Sequence, residues 1–154
     1  MTRSLLASIV VSTAAVAVGA GCAGAYSATP AMSRTTTVKV AKSPLGRIVV
    51  DGTGRTVYLF EKDARGRSSC SGACAQVWPP LLTSRKATAG NGASASLLGI
   101  TRRADGTRQV TYRGHALYRY AGDSGARQTT GEGLRDFGAA WYALSPAGKK
   151  VDDD

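Results

Sequence analysis

Short apolar runs alternate with turn residues along most of this chain, and the period is two rather than 3.6. Arg47-Ile48-Val49-Val50-Asp51 and Arg55-Thr56-Val57-Tyr58-Leu59-Phe60 are β-rich and are separated by Gly52-Thr53-Gly54, which predicts a hairpin. The grammar returns later: residues 97–103, the turn Ala104-Asp105-Gly106-Thr107, residues 108–112, the turn Arg113-Gly114, then residues 115–120. Trp141-Tyr142-Ala143-Leu144 predicts a final strand. Residues 83–96 are rich in Ala, Gly and Ser and predict a connector or mobile loop. Residues 71–78 and their counterpart 134–140 each predict a short helical turn, neither long enough for a stable amphipathic helix. The expected fold is all-β, or mainly β with short helical turns: two tandem β-hairpin repeats packed around one core.

The two halves match at an offset of 60 residues, where Gly54 meets Gly114, Tyr58 meets Tyr118, Phe60 meets Tyr120 and Asp63 meets Asp123. A repeat at fixed offset implies one unit used twice, each copy covering the other's apolar face. Side chains alternate along a strand, so Tyr58 and Phe60 share one face, as do Tyr118 and Tyr120. These aromatic faces are expected to point inward. The opposite face carries Val57 and Leu59 in one copy but Leu117 and Arg119 in the other, so the second is expected to be partly wet. A tryptophan follows in each copy, Trp78 and Trp141.

The first residues carry an address. Arg3, an apolar run over residues 5–18, and Gly19-Ala20-Gly21 before Cys22 have the layout of a secretory signal. The run is too short to cross a bilayer. An ordinary peptidase would cut after Ala25; a lipoprotein peptidase would cut before an acylated Cys22, and this second reading is preferred because it accounts for an odd total of three cysteines. The expected organisation is a signal peptide at 1–21, lipidated Cys22 with a flexible tether at 22–43, a two-repeat domain at 44–148 (repeats at about 45–83 and 97–146), and a charged tail at 149–154. Such a chain is anchored to the outer face of the cell membrane rather than spanning it, with free secretion as the alternative.

Charge narrows the partners. The net charge is +10, and removing Arg3 with the signal leaves 19 basic against 10 acidic residues, hence +9. For an exported monomer the accessible polyanions are cell-wall polymers and lipid headgroups; nucleic acid lies on the other side of the membrane. The competing reading is a solvated surface with no dedicated partner.

Each candidate for chemistry has a structural reading beside it. Tyr58, Phe60, Tyr118 and Tyr120 could stack on a sugar or flat cofactor, but a small β domain needs buried aromatics for its core. Asp63 and Asp123 have the residue type for paired-carboxylate hydrolysis, yet each follows a strand and precedes glycine, as turn caps do. Cys70 and Cys74 are expected to form a structural disulfide, whose short loop contributes about 2 kcal/mol; a redox pair is the alternative. Their Cys-x-x-x-Cys spacing is not that of thioredoxin-like proteins. His115, the only histidine, shares a face with Leu117 and Arg119 and is expected to be exposed. It has too few companions for a closed metal site. No catalytic set, metal or cofactor is expected.

Three stretches together resemble a known family. They are the doubled Tyr-x-aromatic-x-x-Asp pattern, Cys70-Ser71-Gly72-Ala73-Cys74 followed by Trp78-Pro79-Pro80-Leu81, and a Gly-x-Gly-x-x-x-Phe-Gly-x-x-Trp stretch from Gly131 to Trp141. The chain resembles the bacterial secreted-repeat lipoproteins named for a Tyr-x-[Phe/Trp/Tyr]-x-x-Asp motif, over about residues 45–148. The resemblance implies export and a repeat architecture, and no general activity. The resulting expectation is a membrane-anchored, non-catalytic binding or envelope-structural protein, with a redox or metal/haem accessory using Cys70 and Cys74 as the alternative.

Overall fold

In the computed structural model the described residues are 35–151. The expected signal peptide, Cys22, the first part of the expected tether and the last three residues lie outside them.

The fold begins earlier than the composition suggests. Strand β1 (Thr37–Ser43) runs antiparallel to β2 (Gly46–Asp51), with Ser43 opposite Gly46 across a two-residue turn. Gly46 leaves the turn at φ 88°, and Ser43 Oγ accepts from Leu45 N at 3.1 Å. Residues 37–43, expected to belong to a tether, are therefore a strand of the fold. Residues 37–42 alternate Thr, Val, Lys, Val, Ala, Lys, a one-sided strand whose polar positions read as linker; Val38 is fully buried.

The hairpin predicted after β2 closes and then comes apart. Asp51 organises the turn: its Oδ1 accepts from Thr53 N at 2.8 Å, Thr53 Oγ1 at 2.6 Å and Arg55 N at 3.1 Å. One bridge follows, Val50 to Thr56, before the chain departs. Strand β3 (Tyr58–Phe60) then pairs antiparallel with the distant β9 (Ala139–Ala143), Phe60 lying opposite Trp141. Helix α1 (Ala73–Val77) forms where a helical turn was expected. Residues 83–96 are not wholly loop: β4 (Thr88–Ala89) lies parallel to β1. A 3-10 turn at Ala95–Leu97 leads into β5 (Leu98–Arg102), which pairs with β6 (Arg108–Tyr112), and β6 with β7 (His115–Ala116).

Residues 134–140 depart from expectation. They form β8 (Arg135–Asp136) and the start of β9, joined by Phe137 and Gly138 at φ 58° and 92°. Two consecutive left-handed residues make a tight hairpin turn and exclude a right-handed helix. The described strands form three small sheets, ordered β2-β1-β4, β3-β9-β8 and β5-β6-β7.

Two apolar clusters flank the central segments. One holds Ile48, Val50, Tyr58, Phe60, Trp78, Tyr118 and Trp141; the other holds Val49, Val57, Leu59, Val110, Tyr112, Leu117 and Leu144. Aromatic faces point inward, but Val57, Leu59 and Leu117 are buried too, so segments 57–60 and 117–118 are covered on both sides rather than packed on a single core. Each such aliphatic side chain contributes about 1.5–3 kcal/mol on burial. On the second copy's outer face His115 and Arg119 stay half-exposed, and Arg119 pairs with Asp51 at 2.6 Å.

Candidate functional site

The repeated motif assembles at one crossing point. Tyr58 N donates to Tyr118 O at 2.8 Å and Tyr118 N returns a bond to Tyr58 O at 3.0 Å, an antiparallel bridge between equivalent residues. The side chains then exchange partners. Tyr58 OH donates to Asp123 Oδ2, and Tyr118 OH donates to Asp63 Oδ2, both at 2.6 Å. Each aspartate uses its other oxygen locally: Asp63 Oδ1 accepts from Ser69 N and Oγ at 2.7 Å, and Asp123 Oδ1 from Thr130 N at 3.0 Å and Oγ1 at 2.5 Å. One carboxylate thus closes its own loop and holds the other repeat's phenol. Burial, then the bond to Asp123, drives the Tyr58 pKa far above the ordinary phenol range; burial, then Asp63, does the same to Tyr118.

The remaining motif rings stack across the same crossing. Phe60 lies on Trp141 (centroids 4.0 Å apart, 9° between planes), Trp141 on Trp78 (4.0 Å, 1°), and Trp78 on Tyr120 (4.5 Å, 32°). Tyr58 meets Trp78 edge-on at 5.4 Å, and Tyr118 meets Trp141 edge-on at 5.1 Å. Phe60 therefore covers the tryptophan of the other repeat, and Tyr120 does the same in return. Such offset and edge contacts add about 0.5–1.5 kcal/mol per pair beyond burial. The rings that could stack on a ligand are used on one another; only Tyr120 is half-exposed.

Cys70 and Cys74 form a disulfide with Cα atoms 5.3 Å apart, and both residues are buried. The loop is held by a residue the sequence did not mark. Arg103, 7% exposed, donates through Nη2 to Cys70 O at 2.6 Å and through Nη1 to Ser68 Oγ at 2.6 Å and Gln109 Oε1 at 2.8 Å. Gln109 is fully buried and passes the connection on, donating to Leu117 O at 2.8 Å. In the sequence Arg103 is one more basic residue before a turn, and nothing local distinguishes it from Arg102. Enclosure of both sulfurs opposes thiol exchange, which needs access to them.

A cleft of about 430 Å³ opens beside the crossing, lined by Leu59, Phe60, Glu61, Asp63, His115 and Lys150. It falls within the size range of small-ligand sites. His115 is half-buried here rather than exposed, because β7 tucks it against the first repeat. Burial and the neighbouring Arg65 and Arg113 charges lower its pKa, partly opposed by Asp63, which favours the neutral imidazole overall. Lys150 Nζ stands 3.5 Å from Glu61 Oε1 and 4.8 Å from the Tyr142 ring centroid. Asp63 lines this cleft, whereas Asp123 is 1% exposed and lines no part of it. The two carboxylates do not face each other across a common substrate site.

Among the described residues no group of three His, Cys, Asp or Glu side chains could hold a metal ion, and no helix is long and apolar enough to cross a membrane. No curated protein and no solved structure matches the chain. A family model does match, twice, over residues 39–82 and 99–145, together more than half of the chain. The two matched segments meet at the Tyr58–Tyr118 bridge, and the chain belongs to the family described as a secreted repeat of unknown function.

Proposed function

We propose that this protein is a non-catalytic binding or structural component of the cell envelope, tethered through an acylated Cys22 and held against anionic wall polymers by its basic surface. The observation that carries the reading is the use of the motif itself: both phenols, both carboxylates and both tryptophans are engaged in joining the repeats. That leaves the exterior to make contacts, and the exterior is rich in cations. Arg47, Arg65, Arg67, Arg102, Arg108, Arg113 and Arg135 are all exposed. A long-range field of this sign favours phosphate- or carboxylate-bearing polymers and weakens with salt.

The test is co-sedimentation of the purified chain with isolated cell walls. Binding is expected at low salt, falling at least about tenfold by 0.5 M salt, where the Debye length shrinks to a few ångströms, and falling likewise on walls stripped of anionic polymers. Equal binding to stripped walls would overturn the partner assignment. The anchor has a separate check: mass spectrometry of the membrane fraction is expected to find a diacylglyceryl adduct on Cys22, and an unmodified chain starting at Tyr26 would make the protein freely secreted.

A further inference from the structure

The cleft beside Asp63 has a counterpart in the other half of the molecule, and the two have been treated differently. At the offset of 60 residues that relates Tyr58 to Tyr118, the cleft residues Leu59, Phe60, Glu61, Asp63 and His115 correspond to Arg119, Tyr120, Ala121, Asp123 and Arg55. At that second position the protein supplies its own cations. Arg55 reaches in to donate from Nη2 to the main-chain oxygen of Asp123, and Arg119 is fastened to Asp51 at 2.6 Å. In the cleft both arginines are replaced, by the shorter His115 and by Leu59, and alanine is replaced by Glu61. Among the lining residues two positive charges are gone and one negative charge is added, while Arg65 and Arg113, which stand where the other half has Gly125 and Thr53, bear on His115 from outside the lining.

We infer that this cleft is a binding site for a small organic cation, an alkyl ammonium or guanidinium, whose charged end takes the place that Arg55 fills in the other half. Three observations converge on that chemistry. The cleft is open and of ligand size, about 430 Å³. Its acidic side chains are Glu61 and Asp63, and burial disfavours the charged form of His115. A cation already approaches: Lys150, near the end of the described chain, places its ammonium 3.5 Å from Glu61 and over the Tyr142 ring. Lys150 acts as a resident competitor that a ligand displaces from Glu61. Leu59 and Phe60 supply the apolar floor for the ligand's stem. The exposed Arg65 and Arg113 bear on His115 from the basic exterior, so the cleft is set apart by its lining carboxylates, Glu61 and Asp63, and the cleft and the surface are tested in separate experiments.

The experiment is a titration of the full chain with agmatine, followed by amide and imidazole NMR shifts, with succinate and butanol as anionic and uncharged comparisons. Saturable shifts are expected at Glu61, Asp63 and His115 with agmatine, and none with either comparison compound. Glu61→Gln, on an exposed residue, is expected to weaken agmatine at least about tenfold, the loss of one charge-assisted hydrogen bond. His115→Arg, which restores the side chain of the closed half, is expected to abolish binding, and Lys150→Ala to tighten it. Shifts that do not saturate, shifts spread over acidic residues elsewhere, succinate or butanol shifting the same residues, or a Glu61→Gln chain that binds as the unaltered one does would each overturn the assignment. Should His115→Arg disturb the fold, Glu61→Gln and Lys150→Ala decide the matter alone.

Discussion

Tyr58 and Asp123 belong to different repeats and are 65 residues apart in sequence, yet the phenol and carboxylate are joined at 2.6 Å in a buried setting. Replacing Tyr58 by Phe removes the donor and leaves the Asp123 oxygen without its phenol. The expected cost is about 1–3 kcal/mol, measured by urea unfolding. Tyr118→Phe is expected to cost less than Tyr58→Phe, because Asp63 lies nearer solvent than Asp123. In a double-mutant cycle, Tyr58→Phe with Asp123→Asn should show a coupling of at least about 0.5 kcal/mol; strict additivity would contradict the pairing.

Alkali should unfold this protein sooner than its core size suggests. The folded Tyr58 and Tyr118 phenols hold their protons well above the ordinary value of 10.0, for burial first and carboxylate contact second. Above pH 10 the unfolded chain loses those protons while the folded chain keeps them, so stability is full below pH 10 and falls as pH rises beyond it. Urea midpoints between pH 8 and 12 measure the decline, and Tyr58→Phe should flatten it. Absorbance at 295 nm should show both phenols titrating only with unfolding.

On the acid side the sign reverses. His115 is held below its ordinary 6.5 by burial and by Arg65 and Arg113. The unfolded chain takes up that proton first, so its contribution is present above pH 6.5 and is lost as pH falls through the folded value. Asp51 adds a second step lower down: burial opposes its ionisation, but the Thr53 hydroxyl, the Arg119 charge and the Arg55 amide outweigh it, leaving its pKa below 3.8. His115→Gln should remove the upper step and leave the lower one, as read from midpoints between pH 3 and 7.

Reducing the Cys70–Cys74 disulfide should cost about 2 kcal/mol, a loop this short constraining the unfolded chain only slightly. Arg103→Met should cost as much or more, about 2–4 kcal/mol, because Cys70 O, Ser68 and Gln109 all lose a buried charged donor. If Arg103→Met unfolds at the same urea concentration as the unaltered chain, the guanidinium is not what holds the loop.

What could be read from the residues follows the range of the forces involved. Strands such as Leu98–Arg102 and Arg108–Tyr112 were legible because alternation and a tight turn act within ten residues. The doubling of Tyr58 and Tyr118 was legible because it is literally written twice. The exchange of partners was not: alignment shows that Asp63 matches Asp123, but only the crossing of the chain decides which phenol each one meets. The same holds for β3, whose predicted hairpin partner β2 lost it to β9. Thr37–Ser43 was misread because Thr and Lys on a strand's wet side look like linker, and residues 134–140 because Phe137 adopts a left-handed turn conformation. His115 and Glu61 gain meaning only beside Arg55 and Ala121, a comparison that needs to know which side chains fill space.

The crossed bonds at Tyr58 and Tyr118 also bear on how such chains can change their size. A copy that lacks a mate has a phenol with no acceptor and a carboxylate with no donor, so losing or gaining one unit leaves a defect that a second change must repair. Parity is therefore built in: proteins assembled from this unit should carry even numbers of it, and those with an odd one left over should associate through it.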